Sequence, residues 1–187
     1  MIENILTNYP FGELSDKQKA GLSFLVDKLK GSLIQAQRQQ AYVLATIKHE
    51  CADRWEPIKE LGTSKYLMNK SYYPFIGRGY VQITWETNYR RFGEILRIDL
   101  AGKPDLALRP EISWRITELG MIRGLFTGKK LSDYFNENKT DYFNARKIIN
   151  GLDKAELIAN YAKTIYDCIS KITNNDIPPI KPLDKIK

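Results

Sequence analysis

Apolar residues recur at helical spacing along most of the chain. Ser15-Asp16-Lys17-Gln18 is a capping-box pattern, and Leu22, Leu25, Val26 and Leu29 follow on one face until Gly31. A second, amphipathic helix is predicted from about Gln35 to Glu50, closing on the run AYVLATIKHE (41–50). Periodicity is then lost over 52–79, where Pro57, Gly62, Pro74, Gly77 and Gly79 predict a long irregular loop. Tyr80–Thr84 alternates apolar and polar and predicts a short extended piece. Thr84 is the expected N-cap of a helix carrying Tyr89, Phe92 and Leu96. After a loop over Gly102–Pro110, Ile112, Ile116, Leu119 and Phe126 mark one face of the next helix, which Gly128 ends. Short helical segments are expected near 131–136 and 141–149. Asp153-Lys154-Ala155-Glu156 reads as a capping box opening a last helix on Leu157, Tyr161, Ile165 and Cys168. The pattern is mainly α, a single domain over 1–171 with little or no sheet. Residues 172–187, with Pro178, Pro179 and Pro182, read as a loosely ordered C-terminal tail.

Composition narrows the class. Hydrophobic content of 43% in 187 residues suffices for one domain with a sizeable core, and no stretch reaches the ~20 apolar residues of a bilayer span. The N-terminal segment has no basic region followed by an apolar one, so a chain made in the cytoplasm without a signal peptide is expected. A net charge of +7 favours an anionic partner such as nucleic acid, anionic lipid or an acidic wall polymer. The basic residues are scattered, however, and no run resembles a nucleic-acid tail. With two separated cysteines, one histidine and no acidic cluster, no metal site and no cofactor are expected; Cys51 and Cys168 read as reduced, buried thiols.

Candidate chemistry lies between residues 50 and 90. Glu50 closes a helix, Glu60 follows in EPIKELG (56–62), and a Gly- and aromatic-rich stretch, FIGRGYVQITWETNY, covers 75–89. Two carboxyl groups suffice to cleave a glycosidic bond: one protonates the leaving oxygen, the other activates water or attacks the sugar. A general acid must hold its proton near neutral pH, and Glu50, following Ala45 and Ile47, is expected in an apolar setting. Glu60, on a loop with Lys59, Lys65 and Lys70, suits a carboxylate that stays charged.

The ordered motifs KHE (48–50), PIKE-x-G (57–62), GRGYVQIT (77–84) with Asn88-Tyr89, and ARKIING (145–151) resemble family 19 glycoside hydrolases. GKPDLAL (102–108) and GLFTGKKLSDYF (124–135) point to the phage-endolysin branch, with plant chitinases as more distant relatives. The resemblance, running from about residue 15 to 170, implies a lysozyme-like, family 19 chitinase-like helical domain. It makes Glu50 the general acid, with Thr84 helping to hold the attacking water. Gln82, Asn88 and Asn150 become substrate-binding amides and Tyr80 a cleft aromatic. Glu60 is the choice for general base and Glu56 the alternative, because the segment carrying this carboxylate is shortened here relative to the plant branch. Arg146 reads either as a partner of a catalytic carboxylate or as a surface charge.

The implied activity is inverting hydrolysis of the β-1,4 linkage of bacterial peptidoglycan by a lysozyme-like endolysin, leading to wall degradation and host lysis. It implies a monomer that binds glycan strands, without nucleic acid or stable membrane insertion, acting on the wall after holin-dependent release. A chitinase is the near alternative. A Cys/His amidase would need a thiolate paired with imidazole, and Cys51 and His49, two apart on a helix, cannot face each other. A wall-binding module without catalysis is the remaining class.

Overall fold

A computed structural model describes residues 1–171; the proposed tail lies outside the described residues. Helix α1 (Asn4–Thr7) is a short turn that the sequence pattern did not announce. Helix α2 (Asp16–Lys30) begins with the predicted capping box: Ser15 accepts from the Gln18 backbone, and Gln18 reaches back to the Ser15 N–H at 3.0 Å. Helix α3 (Gln37–Glu50) departs from expectation. Every residue from Gln40 to Lys48 is buried, so it is a central helix enclosed on all sides and not an amphipathic one. Its longest neighbour contact runs along α7 (Ala155–Ser170).

Between these helices the chain makes little sheet. β1 (Ile58–Lys59) pairs antiparallel with β2 (Arg78–Gly79), and β3 (Phe135–Asn136) with β4 (Lys139–Thr140). The 52–79 loop is irregular as predicted, apart from β1, β2 and the short helix α4 (Ser64–Met68). Helix α5 (Glu86–Leu96) and helix α6 (Pro110–Arg123) follow, the latter ending at Gly124 in the left-handed region (φ 69°), four residues before the expected Gly128. Phe126 folds back onto α6, where a Cβ on Gly120 would lie 2.1 Å from its ring. The segments near 131–136 and 141–149 are 3₁₀ turns at Leu131–Asp133 and Asn144–Ile148, the first followed by β3.

Three local expectations fail. Tyr80–Thr84 is a turn in which Arg78 and Ile83 exchange backbone hydrogen bonds, reversed through Gln82 at φ 52°. Thr84 is not an N-cap, since α5 starts from Trp85 at φ 71° without a side-chain cap. Helix α7 opens from left-handed Lys154 with no capping box. Its buried face holds the expected Ile165 and Cys168 together with Ile158, Ala162 and Ile169, whereas the expected Leu157 is exposed.

Helix α3 ends in a Schellman motif. The Asp53 N–H bonds to Lys48 O at 2.9 Å and the Ala52 N–H to His49 O at 3.2 Å, with Ala52 at φ 49° where glycine is usual. This reversal brings Asp53 back onto Lys48, whose ammonium is buried. Its Nζ lies 2.6 Å from Asp53 Oδ2 and donates to Tyr9 Oη at 3.2 Å. It also sits over the rings of Phe11 and Tyr161, at 4.4 and 5.2 Å from their centroids. Gln18 Nε2 adds a bond to Asp53 O at 2.8 Å. One buried charge thereby joins the N-terminal segment, α2, α3 and α7.

Asp53→Asn tests this clamp. Asparagine keeps the left-handed backbone accessible (Asp53 φ 63°), removes the charge, and turns into a donor one of the two oxygens that accept from Tyr9 and Lys48. Because Asp53 is about half exposed, the cost of leaving Lys48 with neutral partners is discounted to roughly 1–2 kcal/mol, read as a lower urea midpoint. An unchanged midpoint would mean that the Tyr9 hydroxyl and the ring faces suffice.

Candidate active site

The Schellman ending leaves Glu50 as the last helical residue of α3, with its side chain 15% exposed. Its surroundings are not the apolar ones expected. Arg146 Nη1 donates to Glu50 Oε1 at 2.5 Å, and Arg146 is itself buried at 3% exposure. The guanidinium comes from the 3₁₀ turn Asn144–Ile148, and its Nε donates to Asp153 O at 3.0 Å. The open choice for Arg146 is thereby decided: it is an interior partner of the helix-end carboxylate, not a surface charge. A buried ion pair that also satisfies further hydrogen bonds is costly to break.

Glu50 opens into a cavity of about 380 Å³. Four more of the residues singled out from the sequence line it, namely Gln82, Thr84, Asn88 and Asn150, together with Trp85, Phe126 and Ile149. Asn88 Nδ2 donates to Thr84 O at 2.9 Å, which leaves the Asn88 carbonyl oxygen for a ligand. Asn150 Oδ1 accepts the Gly151 N–H at 2.8 Å, leaving its amino group. Gln82 is held by its amide, Nε2 donating to Ile58 O and Gly79 O at 2.8 Å each. A larger hollow beside α7 contains Asp141 and Glu156 but none of these motif residues. There Asp141 is occupied by the side chain and backbone of Asn144.

Glu60 does not line this cavity; it stands next to one of the residues that do. A Cβ on Gly77 would lie 2.8 Å from Gln82 Oε1 and 3.3 Å from Glu60 Cβ, so the two side chains crowd the same glycine. Glu60 is tied there at three points. Its N–H donates to Gly77 O at 2.7 Å, Oε2 accepts the Gly77 N–H at 2.9 Å, and Oε1 accepts the Tyr72 hydroxyl at 2.9 Å.

Two expectations need correction. Tyr80 is not a cleft aromatic: it is 1% exposed and belongs to the core, where burial pushes its phenol well above the usual range. Glu56 lies outside the cavity and is taken by Lys17, 2.8 Å away on α2. Conversely, Trp85 lines the cavity half exposed, while Trp55 and Trp114 are buried. Its signal in the sequence was only its place directly after GRGYVQIT. Val81 and Ile83 of the motif also line the cavity, whereas Arg78 and Tyr89 are structural. Arg78 is buried and bonds Asp105 Oδ1 at 2.7 Å, Pro74 O, Ile76 O and the Tyr89 hydroxyl, which in turn donates to Ile76 O. This pairing holds the Asp105 carboxyl below its ordinary range, and burial pushes the Tyr89 phenol up to about 12.

Thiol chemistry is disfavoured. Cys51 is buried, with its thiol 3.5 Å from Tyr80 O, and burial pushes it far above the ordinary thiol range, so a thiolate is not available. Burial also lowers His49, keeping it neutral. Among the described residues no group of three His, Cys, Asp or Glu side chains could hold a metal ion.

No family model matches the chain. It is 32% identical over 96 residues to an endochitinase of Arabidopsis thaliana, covering 48% of this chain and 33% of that protein. It is 30% identical over 105 residues to endochitinase A2 of Pisum sativum, covering 46% and 32%. The chain thus spans about a third of the length of these curated relatives. Among solved structures it is similar to chitinase C from Streptomyces griseus HUT6037, with a TM-score of 0.67 at 18% identity over 90% of this chain and 76% of that one. A bacterial family 19 chitinase aligns with a TM-score of 0.50 at 18% identity, over 90% and 84%. The chain has the mostly helical family 19 chitinase-like fold.

Proposed function

We propose that this chain is an inverting glycoside hydrolase in which Glu50 is the general acid and Glu60 the general base. The observation that carries the reading is one cleft joining an interior-anchored helix-end carboxylate to Gln82, Thr84, Asn88 and Asn150, with a second carboxylate fixed beside Gln82. Arg146 holds Oε1 of Glu50, so Oε2 is the oxygen left to take up a proton and then present it to the leaving glycosidic oxygen. Glu60 takes a proton from water on the opposite face of the sugar, and Thr84 helps orient that water. An inverting reaction needs room for the water, about 6.5–9.5 Å between carboxyls. The free carbonyl of Asn88 and the free amino group of Asn150 complement the N–H and C=O of an acetamido sugar.

For substrate we favour the glycan strand of peptidoglycan, which makes the protein a lysozyme-like endolysin acting after release to the cell wall. Its net charge of +7 suits a polyanionic envelope. Chitin is the second reading, favoured by the plant relatives, which are named endochitinases. The amidase reading loses support because Cys51 is buried and protonated. No described helix is long and apolar enough to cross a membrane.

Two measurements test these readings. Glu50→Gln and Glu60→Gln should each lower lysis of outer-membrane-stripped cells by ~10²–10⁴-fold with unchanged circular dichroism, whereas Glu56→Gln should stay near wild type. Near wild-type lysis by Glu50→Gln would remove the acid assignment, and an inactive Glu56→Gln beside an active Glu60→Gln would move the base. For substrate, initial rates on purified Gram-negative sacculi should far exceed those on chitohexaose, and should fall as salt screens the attraction to the wall. Efficient chitohexaose hydrolysis with inert sacculi would reverse the substrate choice and leave the mechanism standing.

A further inference from the structure

Glu60 leaves β1 into an excursion, residues 61–73, that is almost wholly exposed. Its helix α4 has no buried residue, and Leu61, Tyr66 and Met68 are half exposed or more. Few contacts hold such a segment in place. Tyr72 is the exception. Its ring meets Trp85 edge-on, with centroids 5.3 Å apart at 65°, and its hydroxyl donates to Glu60 Oε1 at 2.9 Å. The Trp85 backbone is in turn tied down by its amide N–H, which bonds Phe75 O at 3.0 Å, and the residue lines the cavity.

We infer that Tyr72 is a positioning residue for Glu60, fixing through its hydroxyl the carboxylate that acts on water. The proposal rests on the reading of Glu60 as the general base. Gly77 holds Oε2 from the backbone, and a single such bond leaves the carboxylate free to rotate about it. A second donor on Oε1 removes that freedom, and Tyr72 supplies it. Each oxygen keeps a further lone pair, so holding Oε1 does not close it to water. The hydroxyl remains a donor at working pH, since burial and the Glu60 carboxylate both raise the Tyr72 phenol above its ordinary range. The Trp85 edge sets the angle of the Tyr72 ring. Orientation errors of this kind cost rate without costing affinity, because the group reaches the substrate only through water.

Tyr72→Phe is the test, since it deletes the hydroxyl and keeps the ring against Trp85. On soluble peptidoglycan strands or chitohexaose, whichever the wild type cleaves, kcat should fall about tenfold with KM and Tm unchanged. In a Glu60→Gln background the same substitution should cause no further loss, because Tyr72 acts through Glu60. A fully active Tyr72→Phe beside an inactive Glu60→Gln would overturn the positioning role and leave the base standing. A rise in KM alone, or an undiminished further loss in the Glu60→Gln background, would overturn it too, marking Tyr72 as a sugar contact or an independent group. A fully active Glu60→Gln would remove the base reading and the proposal with it.

Discussion

Helix α3 has no solvent-facing side over Gln40–Lys48, yet it ends in two charged side chains, Lys48 and Glu50. A charge carried that far inward must be met where it lies, because unpaired burial costs several kcal/mol. Much of the architecture around the site follows from meeting these two. Lys48 recruits Asp53, Tyr9 and the faces of Phe11 and Tyr161. Glu50 recruits Arg146 from 96 residues further along the chain. Arg146 is held to Asp153 O in turn, which fixes the turn before α7. The N-terminal segment, the turn before α7 and α7 itself are thus packed against the central helix by the same demand that orients the candidate acid.

The fold was legible where local chemistry decides it and obscure where distant partners do. The Ser15 capping box, the helical class and the irregular 52–79 loop follow from short-range pattern. The Schellman ending of α3 is hidden in the sequence because Ala52, not glycine, takes the left-handed position, and the hold of Lys48, Tyr9 and Gln18 on Asp53 accounts for it. On α7 the expected Ile165 and Cys168 are buried, but the first turn buries Ile158 in place of Leu157: the two are equally apolar, and packing against α3 chooses between them. At the site, five of the chosen residues meet in one cavity, since the order of the motifs carried them. The role of Arg146 needed the third dimension. Tyr80 was misplaced because a tyrosine beside polar motif residues fits a cleft and a core equally well on sequence.

Within GRGYVQIT the two kinds of residue are interleaved, and the backbone does the sorting. Arg78 and Tyr80 point inward, Arg78 gathering the carbonyls of Pro74 and Ile76 and Tyr80 filling the core beside Cys51. Gln82 and Thr84 face the cavity. The reversal between them is made by residues in the left-handed region, Gln82 and then Trp85, at φ 52° and 71°. Such backbone costs of order 1–3 kcal/mol per residue and persists only where surrounding contacts over-determine it. Here the two hydrogen bonds of the Gln82 amide and the bond from the Trp85 N–H to Phe75 O supply those contacts.

The two carboxylates are therefore held by different physics. Glu50 depends on a long-range pair between the end of the central helix and the 3₁₀ turn Asn144–Ile148, whose Arg146 is itself buried. Glu60 depends on a local hairpin, on one glycine that admits no side chain, and on a hydroxyl from an exposed excursion. The acid's side of the site is continuous with the packed interior, whereas Glu60 stands on loop beside the cavity-lining Gln82. In a scaffold of this kind the loop can be rewritten with little effect on the fold, since its residues bury little and bond mostly to one another. Differences in substrate between chains sharing this fold should then concentrate in residues 56–77 and around Trp85, while the α3–Arg146 side stays fixed.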